Sequence, residues 1–264
     1  MSTIRYPISL FVSTLFLMGC EDVIELDLNE TAPRIVIAAE LNVTEEQLNV
    51  TLSESNSFYE IEKPEALTNA RIELHLQNQT KILKEIEPGS YVATQIAVAP
   101  FDSVSIDIFI NGSVYSATAI VPSPGPLVDL EQSELPNLPF REEGSVRLSA
   151  IIEDDPNTLN YYRIKLSDSE DNEYNEITVF DDAFADPAVE FSVPIRETFL
   201  PKATVRVELL STNKAYYTFF YQLSLLTSER SGDITPFNPM GNFNNNALGY
   251  FGIYYSSVLD VTVD

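Results

Sequence analysis

From Ile35 onward, apolar and polar residues alternate with period two through much of the chain. Arg71-Ile72-Glu73-Leu74-His75-Leu76 puts its aliphatics on one face, and Val104, Ile106, Ile108 and Ile110 do the same. Successive side chains of a strand leave on opposite faces, so these runs predict half-buried antiparallel strands. Turn formers punctuate them at Thr68-Asn69, Pro88-Gly89-Ser90 and Asn111-Gly112. Asn-Gly between two alternating runs predicts a hairpin that joins Ser103–Ile110 to Ser113–Ile120. About seven strands fall between Ile35 and Val121, the spacing of a small β-sandwich.

The pattern breaks at Val121-Pro122-Ser123-Pro124-Gly125-Pro126, which supports neither a helix nor a central strand. Residues 122–143 therefore read as a Pro-rich linker with an irregular lead-in. Period two returns with Val146, Leu148, Ala150 and Ile152, then with Tyr162, Ile164 and Leu166, and again with Val205, Val207 and Leu209. Between Leu210 and Arg230 the spacing changes to three and four, with Tyr216, Phe219, Phe220, Leu223 and Leu226 on one stripe. This predicts an amphipathic helix over residues 213–229, capped by Ser211, Thr212 or Asn213, whose aromatic stripe packs into the core rather than forming a ligand platform. Ala247 to Val263 predicts one or two closing strands with a bulge near Ser256-Ser257. The expected fold is all-β: two antiparallel immunoglobulin-like β-sandwich domains, residues 33–121 and 144–264, the second with one amphipathic helix.

The first twenty residues are of another kind. Arg5 is their only charge, Ile8 to Met18 is apolar or small, and the run ends Leu17-Met18-Gly19-Cys20. That is the anatomy of a secretory signal over residues 1–19, too short for a bilayer-spanning helix. It resembles a bacterial lipoprotein signal, with Met18 in place of the usual small residue. The resemblance implies cleavage before Cys20 and acylation there, palmitate-like chains included. Each buried methylene contributes about 0.8 kcal/mol, so several chains anchor a protein durably. Residues 20–32 then form a lipidated tether. Its acidic start, Glu21-Asp22, resembles the signal that takes lipoproteins of Bacteroidota to the outer face of the outer membrane; the alternative is a simple acidic tether on the periplasmic face. Cys20 is the only cysteine, so no internal disulfide forms and the fold must rest on its core.

The formal net charge of −25 repels phosphate backbones and argues against nucleic acid as a partner. His75 is the only histidine and lies in opposite phase to Ile72, Leu74 and Leu76, so it is expected to face outward. With no Gly-x-Ser-x-Gly frame and no tryptophan, no enzyme is expected, and no cofactor beyond a candidate calcium ion. The calcium candidates are Asp168, Glu170, Asp171 and Glu173, alternating oxygen ligands between two strands, although neither they nor Glu153-Asp154-Asp155 or Asp181-Asp182 match an EF-hand loop. A last candidate is the long aperiodic connection Gly232 to Gly249. Its Phe237, Asn238, Pro239, Phe243, Asn244, Asn245 and Asn246 offer aromatics and amides to a partner strand or ligand.

Several pieces in order resemble a known family. They are Cys20-Glu21-Asp22, Pro33-Arg34-Ile35-Val36-Ile37, Ala39-Glu40-Leu41, Ala70-Arg71-Ile72-Glu73-Leu74 and Asn160-Tyr161-Tyr162-Arg163-Ile164. Ala215-Tyr216-Tyr217, Asn238-Pro239 and Ala247-Leu248-Gly249-Tyr250-Phe251-Gly252 continue the match. Together they resemble the Bacteroidota lipoproteins classed as domain of unknown function 4249. The resemblance implies an outer-membrane lipoprotein, often encoded beside a TonB-dependent transporter, and brings no catalytic residues. The expected function is an accessory or binding subunit of such a transporter, held to the outer membrane by its N-terminal lipid. A surface adhesin or assembly lipoprotein is the alternative, and a calcium-binding surface protein a further one.

Overall fold

The computed structural model describes residues 32–56, 63–139, 141–153, 158–168, 170, 172–174, 177–183, 190–227 and 235–264. The signal peptide, Cys20, the tether up to residue 31, and Asp171 lie outside the described residues. Residues 33–264 form one compact unit.

In chain order the strands are β1 (Ile35–Asn42), β2 (Gln47–Glu54), β3 (Arg71–Leu76), β4 (Gln79–Ile82), β5 (Lys84–Glu87), β6 (Ser90–Ala93), β7 (Ser103–Ile110), β8 (Ser113–Ile120), β9 (Leu127–Glu134), β10 (Val146–Glu153), β11 (Tyr161–Asp168), β12 (Thr178–Asp181), β13 (Glu190–Phe199) and β14 (Thr204–Thr212). Helix α1 (Lys214–Thr227) and strand β15 (Leu248–Thr262) follow. They assemble into a long sheet, β12-β11-β14-β15-β1-β2-β6-β5, and two short ones, β4-β3-β7-β8 and β13-β10-β9. Among the described residues the architecture is mostly β and sandwich-like with one helix, the class the sequence predicts. The predicted hairpin is β7–β8, with Asn111 and Gly112 at φ of +50° and +76°, the left-handed pair that suits the twist of a two-residue connection.

Among the described residues two hydrophobic cores form between the sheets, beside a smaller cluster on the outer face of the long sheet. One lies between β3, β7 and β8 and the β1–β2 half of the long sheet, and includes Ile37, Leu41, Leu48, Ile72 and Ile106. The other lies between β10 and the β11–β14 half, and includes Leu148, Ile152, Tyr162, Val207 and Leu209. The sequence divides the chain cleanly between two domains; the structure does not. β15 runs parallel to β1 over Leu248–Tyr254, and antiparallel to β14 over Tyr254–Thr262. Its odd-numbered positions serve both cores: Phe251 and Ile253 are buried in the first, while Leu259 and Val261, followed by Val263 just past the strand's end, pack in the second. An unbroken pleat keeps all of them on one face, and the pairing with β14 runs through Ser256 and Ser257 without a register shift, so the expected bulge is absent.

The linker also needs correction. Residues 121–126 have no regular structure, but β9 forms inside the expected 122–143 segment and pairs with β10. The prolines flank this edge strand rather than occupy it, which leaves its ladder donors intact.

Helix α1 is capped by Asn213, whose Oδ1 accepts from the Tyr216 N–H at 3.0 Å. Residues 228–229 of the predicted helix lie outside the described residues. The stripe packs on the outer face of the long sheet, where Tyr216 and Phe220 are buried with Leu210 and Tyr250, and Phe219 and Leu223 are partly covered. Gly252 admits this contact, because a Cβ there would come within 2.2 Å of the Tyr216 ring.

Candidate functional site

The aperiodic connection before β15 uses its amides internally. Asn242 imitates a neighbouring strand: its Oδ1 accepts from the Phe251 N–H at 2.8 Å and its Nδ2 donates to the Phe251 carbonyl at 3.0 Å. The Ser116 N–H donates to Asn244 Oδ1 at 2.9 Å, the Asn244 N–H returns a bond to the Ser116 carbonyl at 3.1 Å, and Asn245 Nδ2 donates to the Val114 carbonyl at 2.7 Å. The Asn246 carbonyl accepts from the Arg34 guanidinium. Asn245 and Asn246 have φ of +53° and +56°, a region that asparagine tolerates better than most residues, so turn chemistry explains the asparagine run. Phe243 packs on the first core. Of the seven candidates this leaves Phe237 and Asn238, both exposed, and the half-buried Pro239 outside these bonds, with exposed Met240 beside them, its N–H held by Gln222 Oε1 at 2.5 Å.

The acidic candidates build a hairpin tip. Asp168 Oδ1 accepts from the N–H groups of Glu170 and Asn172, and its Oδ2 from Asn172 Nδ2 at 2.9 Å. These bonds, the Asn172 amide first, hold the Asp168 carboxyl below its ordinary pKa. Glu173 lies 2.9 Å from Lys165 Nζ, and that hydrogen bond lowers its pKa as well. Among the described residues no group of three or more His, Cys, Asp or Glu stands where it could hold a metal ion.

His75 is a third exposed and belongs to a cross-strand network. Its Nε2 lies 3.0 Å from Asp107 Oδ2, and Ser116 Oγ donates to Asp107 Oδ1 at 2.5 Å. His75 Nδ1 also lies 3.1 Å from Thr80 Oγ1, so the imidazole bridges a threonine hydroxyl on β4 and the Asp107 carboxylate on β7.

Beneath α1 the aromatics carry buried hydroxyls. Arg163 lies 3.9 Å over the Phe220 ring and donates from Nη1 to the Tyr216 hydroxyl at 2.8 Å, while Tyr250 donates to Glu40. Burial, then the charge of Glu40, raises the pKa values of Tyr216, Tyr250 and Tyr254. Burial, then its bond to Asp181, pushes Tyr217 up to about 12. A tyrosine whose folded pKa exceeds its unfolded value contributes stability that is complete below the unfolded value near 10 and disappears as pH rises through the folded value. The urea midpoint is therefore expected to hold up to about pH 10 and to fall steeply between 10 and 12. The 295-nm titration should show these tyrosines ionising only with unfolding. Free titration of all tyrosines near pH 10 in the folded state would contradict this arrangement.

The structure also exposes residues that period and spacing do not mark. Phe101, Ile120 and Leu159, each more than half exposed, line a cleft of about 300 Å³ near the start of α1. Ala99 to Asp102 form a type II turn, closed by the Asp102 N–H on the Ala99 carbonyl at 3.1 Å, with Phe101 at φ +70° in the position that normally takes glycine.

The family described as Domain of unknown function (DUF4249) matches residues 21–258. Among solved structures, the crystal structure of bovine butyrophilin matches over 89% of this chain and 100% of that chain, with 8% identity and a TM-score of 0.22. No curated protein matches.

Proposed function

Because the chain belongs to the Domain of unknown function (DUF4249) family, we propose that it is an outer-membrane lipoprotein, acylated at Cys20, that serves as a binding or accessory subunit of a TonB-dependent transporter. The observation that carries this reading is the run Leu17-Met18-Gly19-Cys20 ahead of an acidic tether, which resembles a lipoprotein signal. The compact unit beginning at Pro33 supports it: the tether leaves from the first strand of the long sheet, so a lipid at Cys20 confines both sandwiches to the membrane plane. Confinement to two dimensions raises effective concentration, and a modest contact then suffices for occupancy. The contact we assign to the transporter is the tip Phe237, Asn238 and Met240, exposed around a half-buried Pro239, with its base fastened by Asn242, Asn244 and Asn245.

Two measurements test the two halves of this reading. Cys20→Ser is expected to move the chain from the outer-membrane fraction to the soluble fraction, with loss of metabolic labelling by palmitate; a variant that stays membrane-bound and labelled removes the anchor. Mild-detergent pull-down of the tagged chain from native membranes is expected to recover a TonB-dependent barrel in near-equal amount, and to lose it when Phe237 and Met240 are both replaced by serine. A chain that comes down alone after crosslinking ends the accessory-subunit reading while leaving the anchor intact.

A further inference from the structure

Strand β8 is the edge of its sheet, and its two ends are treated differently. Ser116 uses both its N–H and its carbonyl to bond Asn244, and the Val114 carbonyl bonds Asn245, so these groups point away from β7. Outward-pointing groups recur at every second residue of an edge strand. Those of Thr118 and Ile120 therefore point the same way, and they have no partner among the described residues. The open stretch borders the cleft lined by Phe101, Ile120 and Leu159. Phe101 is unusual in its own right. Its φ of +70° strains a bulky residue where glycine is at ease, and its ring is left largely in solvent. An exposed aromatic ring held at a strained position gains nothing for the core, and leaves apolar surface that a bound partner would cover.

We propose that this end of β8 is a docking site for a short extended segment of a partner polypeptide, which adds as a strand beside Thr118 and Ile120 and places alternate apolar side chains on Phe101, Ile120 and Leu159. A row of backbone donors and acceptors repeating about every 7 Å is matched by another main chain, and not by a lipid tail or a sugar. Asn244 and Asn245 already pair the first part of the edge in this manner, and the segment continues that pairing. The chain's formal charge of −25 selects a neutral or basic segment and disfavours a second copy of this chain. The open stretch, with outward groups on only two residues, is also too short for two copies of β8 to pair symmetrically. The site stands on the β8 edge and the cleft alone, and does not rest on the lipid anchor or the transporter.

The test is selection of a displayed library of random dodecapeptides against the full chain purified in detergent, followed by amide NMR with the enriched peptides. Enrichment of sequences with apolar residues at alternate positions is expected, with saturable shifts at the Thr118 and Ile120 amides. Ile120→Pro removes an outward donor without touching the β7 ladder, and should weaken binding at least tenfold. Phe101→Gly removes a wall and relieves the strained turn, so it should weaken binding similarly without lowering the urea midpoint; it decides the matter should the proline variant fail to fold. No enrichment, or enriched peptides that bind Phe101→Gly and wild type equally and leave Thr118 and Ile120 unshifted, would overturn the proposal. Sedimentation showing a dimer that Phe101→Gly abolishes would replace the foreign segment with a second copy.

Discussion

Gly249→Ala is expected to be among the most destabilising single-methyl additions in the chain. Gly249 stands opposite Ile37 in the parallel pairing of β15 with β1, at φ +96°, and a Cβ there would lie 1.9 Å from the Ile37 carbonyl oxygen. Backbone faces backbone, so no side-chain rotation relieves the overlap. The register must open at the point where the last strand meets the first. We expect a loss of about 4 kcal/mol or more, against a total stability of about 5 to 15 kcal/mol for an ordinary domain. Gly112→Ala is the control, because Gly112 has a similar φ of +76° but nothing within 4 Å of an added Cβ. It should lose only the backbone preference, about 1 kcal/mol. Urea denaturation of both variants reads the difference, and equal midpoints would mean that the β1–β15 contact is not close.

The second large effect concerns a fragment. Residues 33–121 contain eight strands and most of one core, and on sequence grounds they look like a free-standing domain. We expect them not to fold alone. Cutting the chain at 121 strips β1 of its parallel partner over seven consecutive pairs, from Val36–Leu248 to Asn42–Tyr254. It also removes Phe251 and Ile253, both fully buried, and Ala247. Each large side chain lost from a core forgoes about 1.5 to 3 kcal/mol of burial before any cavity is counted. The Asn244 and Asn245 bonds to β8 go as well. Circular dichroism and amide NMR of the fragment should show a collapsed, poorly dispersed chain; a well-dispersed spectrum with cooperative unfolding would show that β15 is dispensable to this half.

What could be read in the sequence was what repeats locally. The β7–β8 hairpin follows from Asn111-Gly112 between alternating runs, and α1 from the three-and-four spacing of Tyr216, Phe219, Phe220 and Leu223. Packing of that stripe against Leu210 and Tyr250 follows from the same spacing. What could not be read was long-range. Leu248-Gly249-Tyr250-Phe251 reads as a strand, but nothing local says that its neighbour is Ile35–Asn42, two hundred residues earlier, or that the pairing is parallel. β9 escaped notice because prolines on both sides masked an eight-residue strand with little alternation. At the candidate sites, asparagines that look like ligand hooks proved to be edge caps and turn residues, since a sequence does not say where an amide finds its partner. Asp168 and Glu173 bond to neighbours in their own hairpin and strand, Asn172 and Lys165. The cleft at Phe101 depends on a backbone angle that only the structure supplies.

The placement of β1 has a mechanical consequence. A pull on the chain at Pro33 acts along β1, which is held by antiparallel β2 on one side and by parallel β15 on the other. Tension in that direction slides the strand against both neighbours at once, so the hydrogen bonds share the load instead of parting one after another. The first strand of the compact unit is thus placed to resist a pull along its own axis, with β15 serving as its clamp.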